Sequence, residues 1–335
     1  MTTAAVLGAG SWGTALAIQL ANNGHAVKLW GHDAEHVKAL QSDQENKRYL
    51  AEKTFPDTLS AEASLANAIQ DSDFILSVVP SYAMRETCEK LKPLAETSKF
   101  ANKFVWASKG FEKKSKMMMH QVVEDVLGNK IQSAVLSGPS FAKEVASSLP
   151  TAVSLASSDI EYAKELAAYF HSDNFRVYAS DDVIGVELGG TVKNVLAIAS
   201  GIVDGLGFGA NARAALVTRG MAEMMRLGVA LKAKPQTLMG LAGMGDLVLT
   251  CTDNQSRNRR LGIALAQGKT AKQYMDDLGQ AVEGFHAAQV VYEVAKDNNV
   301  EMPICNQVWN VLSEKVDLKT AIAQLLGREM KQESS

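Results

Sequence analysis

The sequence predicts an α/β fold in which a doubly wound, mainly parallel sheet is followed by a second, all-α domain. Three observations carry that expectation. The first half alternates short apolar runs with helical stretches, a glycine-rich turn joins the first run to the first helix, and β-type runs stop after about Asp182. Strands apolar at nearly every position are covered on both faces, as in parallel sheets. A switch from alternating β/α to helices alone reads as a domain boundary near residues 180–190.

In chain order, the expected strands are Ala4–Leu7, Val27–Trp30, Phe74–Val79, Phe104–Ala107, Ala134–Leu136, Ala152–Leu155 and Phe175–Tyr178. Between them lie the helix-like segments Thr14–Asn22, Tyr82–Leu91, Met117–Leu127 and Ile160–Phe170, with Pro80 suited to the first turn of the second. The later half reads as the helices Val186–Val203, Asn211–Leu231, Arg257–Ala266 and Val282–Asn298, with a last one near Ala321–Met330. No internal repeat and no low-complexity tract interrupts either half.

Composition narrows the class. The chain has 335 residues, 47% of them hydrophobic and 21% charged, which is a folded globular composition of about two domains. Its 34 basic and 37 acidic residues leave a net charge of −3, which argues against a nucleic-acid or membrane coat. Three scattered cysteines, Cys88, Cys251 and Cys305, have no zinc or dithiol spacing and fit reduced thiols. Met1–Val27 carries no Asp, Glu, Lys or Arg, but Gly8, Gly10 and Gly13 break its apolar run, against a signal peptide or a membrane span. The expectation is a soluble, cytoplasmic protein.

The run GAGSWG, Gly8–Gly13, sits between the first strand and the first helix, the context of a Rossmann-like dinucleotide fingerprint. Gly8 serves the sharp turn, Gly10 lets a pyrophosphate approach the backbone, and Gly13 lets helix and sheet pack closely. The amides and dipole of the helix start then face the phosphates. An acid about 20 residues past the glycines normally holds the adenosine ribose of NAD. Here the second strand ends Trp30-Gly31-His32-Asp33, without a carboxylate at its tip. NADP(H) is therefore favoured with His32 near the 2′-phosphate, and NAD(H) stays open through Asp33.

Four further features bear on chemistry. Lys109 follows the strand Phe104–Ala107 at its carboxyl end, where ligands of doubly wound sheets bind. Lys193 lies in ELGGTVKN within an otherwise apolar helix, so it is either solvated or lines a cavity with a partner. Asp246, the single charge in GLAGMGDLVLTCT, either caps the following helix or pairs with a cation. DNQSRNRR, Asp253–Arg260, is either a solvated basic turn or a small-phosphate grip in which Ser256 caps the helix and Arg257 binds in bidentate fashion.

The strings GAGSWGTALA, ASKGFE, SGPSFAKE, LPTAVSLAS, GGTVKNVLAIASG, GANARAALVTRG, GLAGMGDLVLTCT and QSRNRR, in this order, resemble the bacterial NAD(P)-dependent glycerol-3-phosphate dehydrogenases over nearly the whole chain. The resemblance implies reversible reduction of dihydroxyacetone phosphate to sn-glycerol 3-phosphate, feeding glycerophospholipid synthesis. It implies an NAD(P)-binding domain over residues 1–185 and a substrate domain over 186–330. It makes Lys193 the catalytic lysine, helped by Asp246 and Lys109. Gly138, Ser140, Lys109, Lys193, Asp246, Ser256, Arg257 and Asn258 match substrate positions. Gly8, Gly10, Ser11, Trp12, Gly13, His32, Lys109, Ala142, Arg257 and Glu283 match cofactor positions. Ser140 stands where the family often has threonine, which keeps the hydroxyl.

On this reading a protonated Lys193 stabilises the charge that develops on the ketone oxygen and supplies its proton. No metal is expected, and His25, His36, His120, His171 and His286 show no ligand spacing. Met117–Met119 reads as core packing. Self-association as a homodimer is an expectation from the apolar helical half. Two rivals share the glycine turn: a two-domain hydroxyacid or sugar-nucleotide dehydrogenase, and an NAD(P)H-sensing regulator without turnover.

Overall fold

The computed structural model describes residues 2–95, 103–129 and 131–328. The chain divides into two compact units, Met1–Gly190 with Gln236–Asp246, and Thr191–Pro235 with Leu247–Ser335. The first crossing, at 190/191, lies near the expected boundary at 185/186, and two further crossings set 236–246 in the first unit. The reason is local: a Cβ on Gly189 would stand 2.3 Å from the Ala242 carbonyl oxygen, so the 236–246 segment packs against the helix that ends the first unit. Asp246, expected in the helical domain, belongs to the first unit.

In the first unit the strands are β1 (Thr3–Leu7), β2 (Ala26–Trp30), β3 (Glu45–Asn46), β4 (Leu50–Thr54), β5 (Leu59–Glu62), β6 (Phe74–Ser77), β7 (Phe104–Trp106), β8 (Ser133–Ser137), β9 (Thr151–Ala156) and β10 (Phe175–Ser180). Eight of them form one sheet in the order β10-β9-β8-β7-β6-β1-β2-β5, and β3 with β4 make a separate ribbon. Every neighbouring pair in the sheet is parallel except β8 with β9. All seven expected strands are present. The edge strand β5 and the ribbon were not expected, because they are short and polar.

Apolar continuity along the strands has the predicted cause. Ala4 and Val6 of β1 pack into one cluster with Leu16, Leu20 and Phe170, whereas Ala5 and Leu7 pack into another with Ile69, Cys88 and Val122. Each Val, Leu or Ile side chain so buried contributes about 1.5–3 kcal/mol. Met118 and Met119 are buried and Met117 is partly so, as core residues. The three cysteines are buried and form no disulfide.

The second unit is helical. Its elements include the 191–205 part of the helix Val183–Gly205, then Gly209–Ala230, Arg257–Ala266, Ala271–Leu278, Glu283–Asp297, Pro303–Leu312 and Leu318–Leu326. The end of the expected helix near Ala321–Met330 lies outside the described residues. Val183–Gly205 is long and apolar enough to cross a membrane by length and composition, but it is mostly buried as a core helix.

One buried acid in this unit gives a pH prediction. Glu223 is 1% exposed and accepts hydrogen bonds from the Ile304 and Cys305 amides at 2.6 and 3.1 Å, in the first turn of Pro303–Leu312. Burial pushes its carboxyl up from 4.5 to about 7 against the pull of those amides. The raised native value means that its stabilising contribution is complete below the unfolded value and is lost as pH rises through about 7. The swing is about 3 kcal/mol at 1.36 kcal/mol per pKa unit. Urea midpoints measured from pH 5 to pH 8 should fall in the wild type and flatten in Glu223→Gln; parallel curves would refute the assignment.

Candidate active site

β1, β2, β6, β7 and β8 run in one direction, so their carboxyl ends share one edge of the sheet. The order reverses between β1 and β6, the switch point where doubly wound sheets bind ligands. The turn Gly8–Gly10 leaves β1 there. A Cβ on Gly13 would lie 1.9 Å from the Gly8 carbonyl oxygen, so only glycine lets the Ser11–Asn22 helix sit this close to the strand end. Around Gly10 nothing stands within 4 Å of such a Cβ, and this helix N-cap has no side-chain cap. Open space over an uncapped helix start is the cradle a pyrophosphate fits.

Ser11 donates from Oγ to the Tyr49 carbonyl at 2.7 Å, and Trp12 packs against the core beside it. Asn46 is fully buried and donates from Nδ2 to the Ala9 carbonyl and to Thr14 Oγ1, at 3.0 and 2.7 Å. The β3–β4 ribbon thus braces the glycine turn, a role that sequence reasoning missed because no apolar pattern marks it. His32 is exposed beyond the end of β2. Asp33 accepts from the Glu35 and His36 amides as the cap of Ala34–Asp43, and Arg48 lies 3.3 Å from its other oxygen. Those amide bonds, with Arg48, hold its carboxyl below the ordinary value.

Lys109, past the end of β7, pairs with Asp246 at 2.8 Å, and Asp246 is 1% exposed. Asp246 is the first residue of Asp246–Thr252 and a partner to a cation, the second of its two expected roles. Gly138, Ser140 and Ala142 follow β8 at the same edge, where Ser140 Oγ donates to the Gly138 carbonyl at 3.0 Å. Glu187 was also missed. It accepts from Trp106 Nε1 at 3.0 Å and from the His120 amide at 2.9 Å, and meets His120 Nδ1 at 2.5 Å. Burial draws the His120 imidazole down, but Glu187 outweighs it and leaves the pKa raised.

The second unit gathers the remaining residues. Lys193 is 7% exposed, and its Nζ donates to Thr250 Oγ1 at 3.0 Å. It is a buried lysine, not a solvated one. Ser256 caps Arg257–Ala266 by accepting from the Arg259 amide at 3.2 Å, as its position foretold. Asn258 Nδ2 donates to Asn194 Oδ1 at 2.9 Å, and Asn258 Oδ1 accepts from the Gly284 amide at 2.9 Å. Three backbone segments carrying Lys193, Arg257 and Glu283 are therefore tied within one unit. Arg257 Nη1 donates to Gln280 Oε1 at 3.3 Å. Burial draws the Arg257 guanidinium down from its ordinary value while Glu283 opposes the shift. Among the described residues no group of three or more His, Cys, Asp or Glu could hold a metal ion.

A glycine turn at the switch point of a doubly wound sheet, in a chain whose helical unit holds a buried lysine and a serine-capped helix start, fits a nicotinamide-dependent dehydrogenase. Residues 3–163 and 182–323 match the profiles described as NAD-dependent glycerol-3-phosphate dehydrogenase N-terminus and C-terminus. A glycerol-3-phosphate dehydrogenase [NAD(P)+] of Colwellia psychrerythraea is 56% identical over 328 residues, 97% of either chain. The crystal structure of glycerol-3-phosphate dehydrogenase from Coxiella burnetii is 48% identical with a TM-score of 0.93, covering 98% of this chain and 99% of that one. A D-mandelate dehydrogenase is similar with a TM-score of 0.64 over 94% of this chain and 98% of its own, but at 14% identity it shares the fold alone. The chain belongs to the NAD-dependent glycerol-3-phosphate dehydrogenase family.

Proposed function

We propose that the protein reversibly reduces dihydroxyacetone phosphate to sn-glycerol 3-phosphate with NADP(H) as the favoured cofactor and NAD(H) as a weaker one. The observation that carries this reading is the linkage in the second unit. A buried ammonium, Lys193, and an anion-binding helix start, Ser256–Asn258, are joined through Asn194 and Asn258 at 2.9 Å. A triose phosphate carries at its two ends the groups these would receive, a ketone and a phosphate.

The nicotinamide, when bound, supplies the hydride. Lys193 holds a proton at the ketone oxygen, stabilises the charge forming there and gives up the proton as general acid, with Thr250 orienting Nζ. Arg257 and the adjoining amides bind the phosphate, which sets the carbonyl's position. Lys109, held by Asp246, offers a second cation at the carboxyl edge of the sheet. Gly8, Gly10, Ser11, Trp12 and Gly13 cradle the pyrophosphate, and Asn46 keeps the turn in place.

The NADP(H) preference rests on Asp33. Its carboxylate already serves two amides and Arg48, so it is committed away from ribose hydroxyls, and His32 and Arg48 leave cationic or donor groups beside it. One charge-assisted hydrogen bond to a 2′-phosphate corresponds to about tenfold or more in affinity. Initial rates with dihydroxyacetone phosphate should therefore show kcat/KM at least about tenfold higher with NADPH than with NADH. A reversed ratio removes the cofactor assignment, and absence of turnover with either removes the substrate. Three buried cysteines outside any disulfide support a reducing cytoplasm, and the apolar helical half supports a homodimer. The same reading has the product feeding glycerophospholipid synthesis.

A further inference from the structure

In the second unit the helix carrying Lys193 and the helix Arg257–Ala266 cross backbone to backbone. A Cβ on Gly201 would lie 1.9 Å from the Arg259 carbonyl oxygen, and one on Gly262 would lie 2.0 Å from that of Ile198. No side chain fits at the crossing, so the side chains flanking it hold the angle. On the Lys193 side this is the Asn194–Asn258 pair. On the far side it is Asp204, which lies 204 − 193 = 11 residues on from Lys193, about 16 Å along the helix at 1.5 Å per residue. That distance removes Asp204 from contact with a triose held at Lys193.

The Asp204 carboxylate sits between two guanidiniums. Arg213 Nη1 donates to both of its oxygens at 2.9 Å, and Arg259 Nη2 donates to Oδ2. The Arg259 side chain is 8% exposed and that of Asp204 13%. The other nitrogens of Arg259 reach back to the preceding helix and the turn after it: Nε donates to the Cys251 carbonyl at 3.1 Å, and Nη1 donates to Asn254 Oδ1. Ser200 Oγ donates to the same Cys251 carbonyl at 2.7 Å. Arg259 therefore ties the end of the helix Asp246–Thr252 to the turn 253–256, which delivers Ser256 and Arg257, and Asp204 is the countercharge that holds Arg259 there.

We propose that Asp204 is a positioning residue for the dehydrogenase reaction, acting through Arg259 on the turn that presents Ser256 and Arg257 to the substrate's phosphate. The proposal rests on the reading of Arg257 as the phosphate clamp. Without the carboxylate, a buried guanidinium loses its countercharge and faces a second one, which costs far more than an exposed pair would. The turn yields first, because it is the least regular part of the arrangement. Lys193 keeps Thr250, on the regular helix Asp246–Thr252, so loss should fall on substrate affinity more than on turnover.

The test is steady-state kinetics with dihydroxyacetone phosphate and NADPH on Asp204→Asn, Arg257→Ala and the double variant. Asp204→Asn should raise the KM for dihydroxyacetone phosphate about tenfold while kcat stays within about threefold, and competitive inhibition by inorganic phosphate should weaken in step. In the Arg257→Ala background the same substitution should add less than about twofold, because the clamp it positions is gone. A purely structural role would give equal factors in both backgrounds, and that result overturns the proposal. A KM moved by Arg257→Ala but not by Asp204→Asn overturns it alone, whereas a KM unmoved by Arg257→Ala overturns the clamp and this inference with it. Should Asp204→Asn fail to fold, Arg259→Lys keeps the charge but loses the forked contacts to Asn254 and Asp204. It should show the same KM rise, and an unchanged KM there overturns the proposal too.

Discussion

Lys193→Ala is expected to lower kcat for dihydroxyacetone phosphate by two or more orders of magnitude while leaving the affinity for NADPH within about twofold. The size follows from what the ammonium supplies, since proton transfer by a positioned acid contributes about 10²–10⁴-fold. Alanine leaves a buried position without a donor, and Thr250 Oγ1, 3.0 Å from Nζ in the wild type, has no charge to offer the ketone oxygen. The substitution should not harm the fold. Alanine is the best helix former, so the helix itself is kept. Far-ultraviolet circular dichroism of the variant should match the wild type, which separates loss of the ammonium from loss of the fold. Single-turnover measurements of nicotinamide absorbance on the two proteins check the fall in turnover. Unchanged turnover would strip Lys193 of the catalytic role.

Much of the frame was legible because its physics is local. Ala4–Leu7 and Phe104–Ala107 read as strands since both faces of the sheet are covered and each position must be apolar. The helix start at Arg257 was legible from Ser256 alone, because a hydroxyl before a helical pattern serves the exposed amides. Lys193 stood out as a charge inside an apolar helix. What stayed hidden depends on partners distant in sequence. Lys109 and Asp246 are 137 residues apart, and nothing local distinguished cap from ion pair for the acid. Asn194 and Asn258 are 64 apart and each reads as an ordinary polar residue until the fold joins them. Glu187 resembles any helical glutamate, and only the buried indole of Trp106 and the His120 ring reveal its work.

The β3–β4 ribbon and the return of 236–246 to the first unit were missed for related reasons. Two residues of β3 cannot show a period, and Asn46 is a buried polar residue whose partners lie 37 and 32 residues back, in the glycine turn and the helix that follows it. The boundary reading assumed one crossing, whereas the glycines of 240–245 let that segment pack against the helix at Gly189. A glycine-rich stretch read as a ligand approach therefore also serves helix packing.

Arg257→Ala should raise the KM for dihydroxyacetone phosphate about 100-fold with a smaller fall in kcat. A charge-assisted hydrogen bond is worth about 1.5–3 kcal/mol, and a bidentate guanidinium–phosphate pair makes two. Taking about 3 kcal/mol as what survives solvent competition gives roughly two orders of magnitude at 1.4 kcal/mol per decade. The surroundings of Arg257 favour this use. Burial draws its guanidinium down in pKa, with Glu283 opposing, so the folded protein leaves a partly desolvated cation that a dianion would relieve. Its side-chain bond to Gln280, at 3.3 Å, is long and uncharged and is easily exchanged for an anion. The helix start adds aligned amides at the same spot, so Arg257→Ala should weaken phosphate binding without abolishing it. Dihydroxyacetone, the same ketone without the phosphate, separates this from a general loss of activity. At saturating NADPH the variant should reduce it within about threefold of the wild-type rate, because the clamp has no phosphate to hold in either protein. Equal losses toward the phosphorylated and unphosphorylated substrates would mean that Arg257 shapes the fold of the unit and does not grip the phosphate.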